Sequence, residues 1–197
     1  MKKLRQTPSQ TVGPFFAYAL TPEQYGYEFT SIAGGSLIEG DVPGQRIRIE
    51  GRVLDGKGEV VPDAMIEIWQ ADGEGRYAHT ADPRGSNIAF KGFGRIGTGT
   101  DAQARFIFDT IKPGSVDGAQ APHINVVVFM RGLLLHAFTR LYFSDEAAAN
   151  ARDPVLASVP AERRNTLIAA RDEKSPGAIY RLDIHMQGPN ETVFFDV

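Results

Sequence analysis

Ile47, Ile49 and Val53 alternate with Arg46, Arg48, Glu50 and Arg52, so from residue 46 an extended chain has one apolar side and one charged side. A period of two cannot line one face of a helix, and the stretch predicts a half-buried strand. Asp55-Gly56-Lys57-Gly58 supplies a turn, after which residues 60–70 predict a second strand entered beside Pro62. Arg105-Phe106-Ile107-Phe108 predicts a third. Residues 124–129 and 133–143 are apolar runs separated by Met130-Arg131-Gly132, the pattern of a hairpin deep in a sandwich. Tyr180, Leu182, Ile184 and Met186 alternate with Arg181, Asp183 and His185, and residues 192–197 predict a last strand. Short strands punctuated by turns in this way predict an all-β chain, a β-sandwich with an extended N-terminal arm and short surface helices. The helices are placed at 145–150, after Ser144 as N-cap, and at 160–170, where Pro160 opens a run of helix formers.

The 197 residues contain 42% hydrophobic side chains, enough for one packed domain. Residues 1–45 are rich in Gly, Pro and aromatics without periodicity; they predict an arm that packs on the body or on a partner chain, with the sandwich in 46–197. Lys and Arg number 21 against 24 acidic residues, so no positive field favours nucleic acid or an anionic membrane. The basic start, Met1-Lys2-Lys3, precedes no apolar leader segment, and no long apolar run follows; the expectation is a cytoplasmic protein without a membrane partner. The complete lack of cysteine removes disulfides, thiolate metal sites and cysteine nucleophiles.

Chemistry is therefore left to four histidines and six tyrosines. His185 alternates with the apolar set of a strand and reads as a polar-face residue. His136, inside an apolar run, reads as a buried, hydrogen-bonded imidazole. His79 follows a turn and fits either surface or site. Ala121-Pro122-His123-Ile124-Asn125 places His123 and Asn125 on one strand face, a spacing suited to a metal pair, but an amide is a poor ligand for a transition metal. Gly92-Phe93-Gly94-Arg95-Ile96-Gly97 has dinucleotide-loop spacing without the flanking strand and helix, and reads as a glycine-rich loop. No Gly-x-Ser-x-Gly elbow is present.

A series of motifs, in order along nearly the whole chain, resembles the intradiol ring-cleavage dioxygenases: Gln10 to Phe16, Ile66 to Ala71 with Gly75-Arg76-Tyr77, Thr110 to Gly114, Ala121 to Ile124, and Thr139 to Phe143. The resemblance implies a β-sandwich and an enzyme opening a catechol ring between its hydroxyl-bearing carbons with Fe(III) and O₂. In the iron-bearing chains of that family two tyrosines and two histidines hold the metal. Carried over, Tyr77 and His123 match one of each, while the second histidine falls on Asn125 and the second tyrosine on or near Val116; no tyrosine lies between 78 and 141. Such a set cannot balance a hard trivalent ion.

This departure resembles the alpha chain of the two-chain members. The resemblance then implies no catalytic residue and no metal in this chain alone, with Fe(III) held by a beta chain without which the subunit is inactive. It implies protocatechuate and O₂ as substrates, a higher hetero-oligomer of alpha-beta units, and substrate contacts from Thr11, Gly13, Pro14 and Phe15 of the arm and from Arg131. Physical reasons stand beside each. Gly13-Pro14 lets backbone approach a planar ring, Phe15 offers an aromatic face, and the Arg131 fork matches a ring carboxylate. Two other readings remain open: a self-sufficient dioxygenase with an altered iron site, and a sandwich-type binding module that holds an aromatic ligand without catalysis.

Overall fold

The computed structural model describes residues 11, 13–85, 87 and 89–197; the side chains of Pro14, Phe15 and Ala17 lie outside the described set. Nine strands follow a short helix α1 (Pro14–Leu20) and a 3₁₀ turn (Pro22–Tyr25): β1 (Arg46–Leu54), β2 (Met65–Trp69), β3 (Phe93–Gly97), β4 (Arg105–Ile111), β5 (His123–Phe129), β6 (Ala137–Phe143), β7 (Ile168–Arg171), β8 (Ile179–Arg181) and β9 (Ile184–His185). Helices α2 (Ala147–Asn150) and α3 (Pro154–Ser158) fill the excursion between β6 and β7. The hydrogen-bonded order is β3-β2-β5-β6-β7-β8-β1-β4, with β9 beside β1. One layer is β3-β2-β5-β6, the other β8-β1-β4, and β7 joins them by pairing with β6 in parallel and β8 in antiparallel fashion.

The apolar side of each layer faces inward. Ile47, Ile49 and Val53 of β1, Ile66 and Ile68 of β2, Phe106 and Phe108 of β4, and Ile124, Val126 and Val128 of β5 share one core. In β1 the charged side is buried at Leu54, where the strand ends, and at Glu50, because Arg105 and Arg181 both reach its Oε2. Gly51 has its own constraint: a Cβ there would lie 1.9 Å from the Leu182 carbonyl oxygen, so only glycine lets the 182–184 segment pack across β1.

Residues 21–43 run over this body. Leu37 and Val42 are buried in the core, and Gln24 exchanges two hydrogen bonds with the Gly97 backbone, at 2.6 and 2.8 Å. That packing explains a difference from the sequence reading. Residues 92–97 are not a loop but contain the edge strand β3, paired with β2 from Met65↔Gly97 to Trp69↔Phe93. Its glycines serve close packing, since a Cβ on Gly94 would meet Leu37 at 2.6 Å. The expected helix at 160–170 is instead a 3₁₀ run, Ala161–Leu167, leading into β7. Thr166 and Arg163 tie this run to the C-terminal segment through Val193 and Glu191, a tertiary demand that overrides helix propensity. The last predicted strand contracts to a single bridge, Phe138↔Phe195. Among the described residues no helix is long and apolar enough to cross a membrane.

Candidate functional site

Two groups of side chains form at opposite ends of β5. The first collects the positions that the family resemblance picks out. Register puts Trp69, Asn125 and Arg140 side by side on the outer face of β2, β5 and β6, with His123 opposite Tyr142 two residues on. Tyr77 stacks on Trp69, ring centroids 5.6 Å apart and nearly parallel, and Trp69 in turn pairs with Asn125. Its loop is held by Asp82, which accepts from the Tyr77 amide at 2.9 Å, and by Arg84, which donates to the carbonyls of Gly75 and Val116. Gly75 has φ of 77°, and a Cβ there would strike the Ser115 carbonyl at 2.0 Å; this close approach brings the Val116 segment against the Tyr77 loop. Tyr77, Val116, His123 and Asn125 thus belong to one neighbourhood.

The electrostatics keep both Tyr77 and His123 neutral. Burial raises the Tyr77 phenol above its usual range, favouring the neutral hydroxyl. Burial also depresses His123, and the neighbouring Arg140 charge adds to that depression. His123 is 5% exposed, with Nδ1 2.8 Å from the Ala121 carbonyl. Arg140 donates to Gln120 Oε1 at 2.8 Å and to the Tyr142 hydroxyl at 3.4 Å. A permanent cation therefore sits beside Tyr77 and His123, and the other two positions that the resemblance picks out are an amide and a valine. Among the described residues no group of three or more His, Asp and Glu is placed to hold a metal ion. This donor set does not fit the Fe(III) that the family uses.

Below it, Asp153 ties the neighbourhood together. It is fully buried, caps α3 by accepting from the Leu156 amide at 2.7 Å, and also accepts from the Ala121 amide at 2.8 Å and the Tyr142 hydroxyl at 3.1 Å. Burial, first, and the Asp153 charge push Tyr142 up to about 12, so its proton stays in place. Asp153, Arg140 and Trp69 received no role from the sequence. Arg140 alone had a visible signal, a guanidinium inside the apolar strand 137–143.

His123 has a measurable consequence. Its folded-state pKa lies below the unfolded value of about 6.5, so the unfolded chain binds the extra proton and stability falls as pH drops below that value. Replacing it with Gln is expected to flatten the decline by up to about 1.4 kcal/mol per pH unit, measured as denaturant midpoints between pH 7.5 and 5.5. Parallel declines in variant and parent would refute the assignment.

The second group lies past the other end of β5. From His123 to Phe129 the strand covers about 20 Å at roughly 3.3 Å per residue, and Arg131 lies beyond. Here the Thr11 hydroxyl accepts from the Gly132 amide at 2.8 Å, joining arm to hairpin turn across 121 residues. Gly13 leads into α1, its carbonyl accepting from the Phe16 amide. The side chains of Pro14 and Phe15 are outside the described residues. Arg131 donates from Nε to Asp63 Oδ2 at 2.5 Å, and its side chain is 61% exposed. Leu134 and Leu135, next in the turn, are also exposed. His136 is exposed rather than buried; it is flanked by Phe129 and Phe138 with ring centroids 5.4 and 4.6 Å away, because the apolar run turns outward before β6 begins. His79 stands edge-on to Trp69 at 6.4 Å.

Comparison with known proteins agrees with this architecture. A profile of the dioxygenase family matches residues 35–188. The protocatechuate 3,4-dioxygenase alpha chain of Burkholderia cepacia is 56% identical over 100% of both chains. The protocatechuate 3,4-dioxygenase beta chain of the same species is 33% identical over 80% of this chain and 71% of its own. In fold, the dioxygenase domain of a dioxygenase carbohydrate-binding protein fusion from Streptomyces sp. SirexAA-E superposes with a TM-score of 0.58 at 22% identity, covering 95% of this chain and all of that one. On the family match and the full-length likeness, the chain belongs to the intradiol ring-cleavage dioxygenases.

Proposed function

We propose that this chain is the alpha subunit of a protocatechuate 3,4-dioxygenase. It binds no iron itself and completes the substrate pocket of a beta chain whose Fe(III) and O₂ convert 3,4-dihydroxybenzoate to 3-carboxy-cis,cis-muconate. The observation that carries this reading is the separation of the two groups on β5. The Thr11, Gly13 and Arg131 set lies more than about 20 Å along the strand from Tyr77 and His123, so it cannot serve a centre at those positions. Substrate-directed groups that face away from their own chain's remnant need a centre supplied by another chain. The likeness to both alpha and beta chains of one enzyme supports that pairing.

In this reading the arm, residues 1–45, reaches the partner from the sandwich of 46–197. Thr11, Gly13, Pro14 and Phe15 contact the aromatic substrate, and Arg131 receives its carboxylate. The complex is a cytoplasmic hetero-oligomer of alpha-beta units. The test is to purify the chain alone, the beta chain alone and the co-expressed pair, and to follow O₂ uptake and muconate formation with protocatechuate. The pair is expected to co-elute as a large species and turn over, and the lone alpha chain to be inert. Turnover by the lone alpha chain, or a failure of the two chains to associate, would overturn the proposal.

A further inference from the structure

We propose that Asp63 is the positioning residue for Arg131, fixing the guanidinium so that its two terminal nitrogens face the substrate carboxylate. This rests on the reading that Arg131 meets that carboxylate. The β2/β5 ladder ends at Met65↔Phe129, and the same register continued by two residues sets Asp63 opposite Arg131. Asp63 is thereby held by the start of a core strand, and its side chain is 13% exposed against 61% for Arg131. A largely buried carboxylate grips a side chain that is otherwise mostly in solvent.

The grip is one-sided. Nε donates to Oδ2 at 2.5 Å, while among the described residues the Nη1 and Nη2 groups carry no hydrogen bond. Those two nitrogens form the end-on fork that pairs with a carboxylate through two parallel hydrogen bonds. A free arginine would sample many rotamers before making such a contact; tethering Nε removes most of them and leaves the fork open. Asp63 Oδ1 is buried without a hydrogen-bond donor among the described residues, so the contact with Arg131 is the main compensation for this carboxylate. From the other side, the Thr11 hydroxyl holds the Gly132 amide and fixes the backbone next to Arg131.

The open fork favours a substrate that carries a carboxylate and gives no advantage to a neutral catechol. In the enzyme assembled with its beta chain, Asp63→Ala is expected to raise KM for protocatechuate about fivefold with kcat within about twofold, and to leave half-saturation by catechol, which lacks the carboxylate, unchanged. Asp63→Asn keeps an acceptor for Nε and is expected to recover most of the loss. In an Arg131→Ala background, Asp63→Ala should add nothing. Equal losses for protocatechuate and catechol, or an unchanged KM where Arg131→Ala raises it, would overturn the positioning role and leave the subunit reading intact. An unchanged KM in Arg131→Ala itself would remove both Arg131 and Asp63 from substrate recognition.

Discussion

In the assembled enzyme, Arg131→Ala is expected to raise KM for protocatechuate about tenfold or more, because a charged hydrogen-bonded contact is worth roughly 1.5–3 kcal/mol. The side chain is 61% exposed in the chain alone, so its loss costs the fold only the pairing of Asp63 and registers chiefly in substrate affinity. Catechol should be used as before. Arg131→Lys should restore little, because an ammonium cannot reproduce the planar fork. Steady-state kinetics on both substrates decides the matter: an unchanged KM for protocatechuate would take Arg131 out of the pocket.

The second large effect concerns folding. Asp153→Ala removes the acceptor of three hydrogen bonds at a fully buried position, from the amides of Ala121 and Leu156 and from the Tyr142 hydroxyl. Buried donors left unpaired cost about 1–3 kcal/mol each, and the lost N-cap adds to this, so a destabilisation of at least about 3 kcal/mol is expected. Guanidinium unfolding at neutral pH measures it. A loss below about 1 kcal/mol would mean that solvent or a rearranged backbone replaces the carboxylate, and that Asp153 does not hold the His123 and Tyr142 segments together.

Much of the fold is legible where burial alone decides. The alternation around Ile47, Ile49 and Val53 marks β1 because one face meets the core and the other meets water. It fails at Glu50, whose burial depends on guanidiniums from β4 and β8, 55 and 131 residues away in sequence. β3 is hidden because Gly94 and Gly97 are there to admit Leu37 and Tyr25, and glycine by itself reads as a turn. His136 is misread because an apolar run does not say where the chain leaves the sheet; Leu134 and Leu135 are as apolar as core residues yet stand in the open.

The site divides in the same way. Tyr77, Val116, His123 and Asn125 are reachable from the sequence through their motifs, since each motif is local. The cation beside them is not, because Arg140 gains meaning only when register sets it opposite Asn125. The Asp63–Arg131 pair spans 68 residues and exists only because β2 and β5 are neighbours, which no local pattern announces. Opposition between the two ends of β5 is likewise a property of the sheet.

Metal content tests most directly the proposal that the metal and the substrate-directed groups belong to different chains. This chain, refolded alone with excess ferric ion and then desalted, is expected to retain well under one iron per ten chains and to show no phenolate-to-iron absorption. One tightly held iron per chain, with the accompanying colour, would contradict the account.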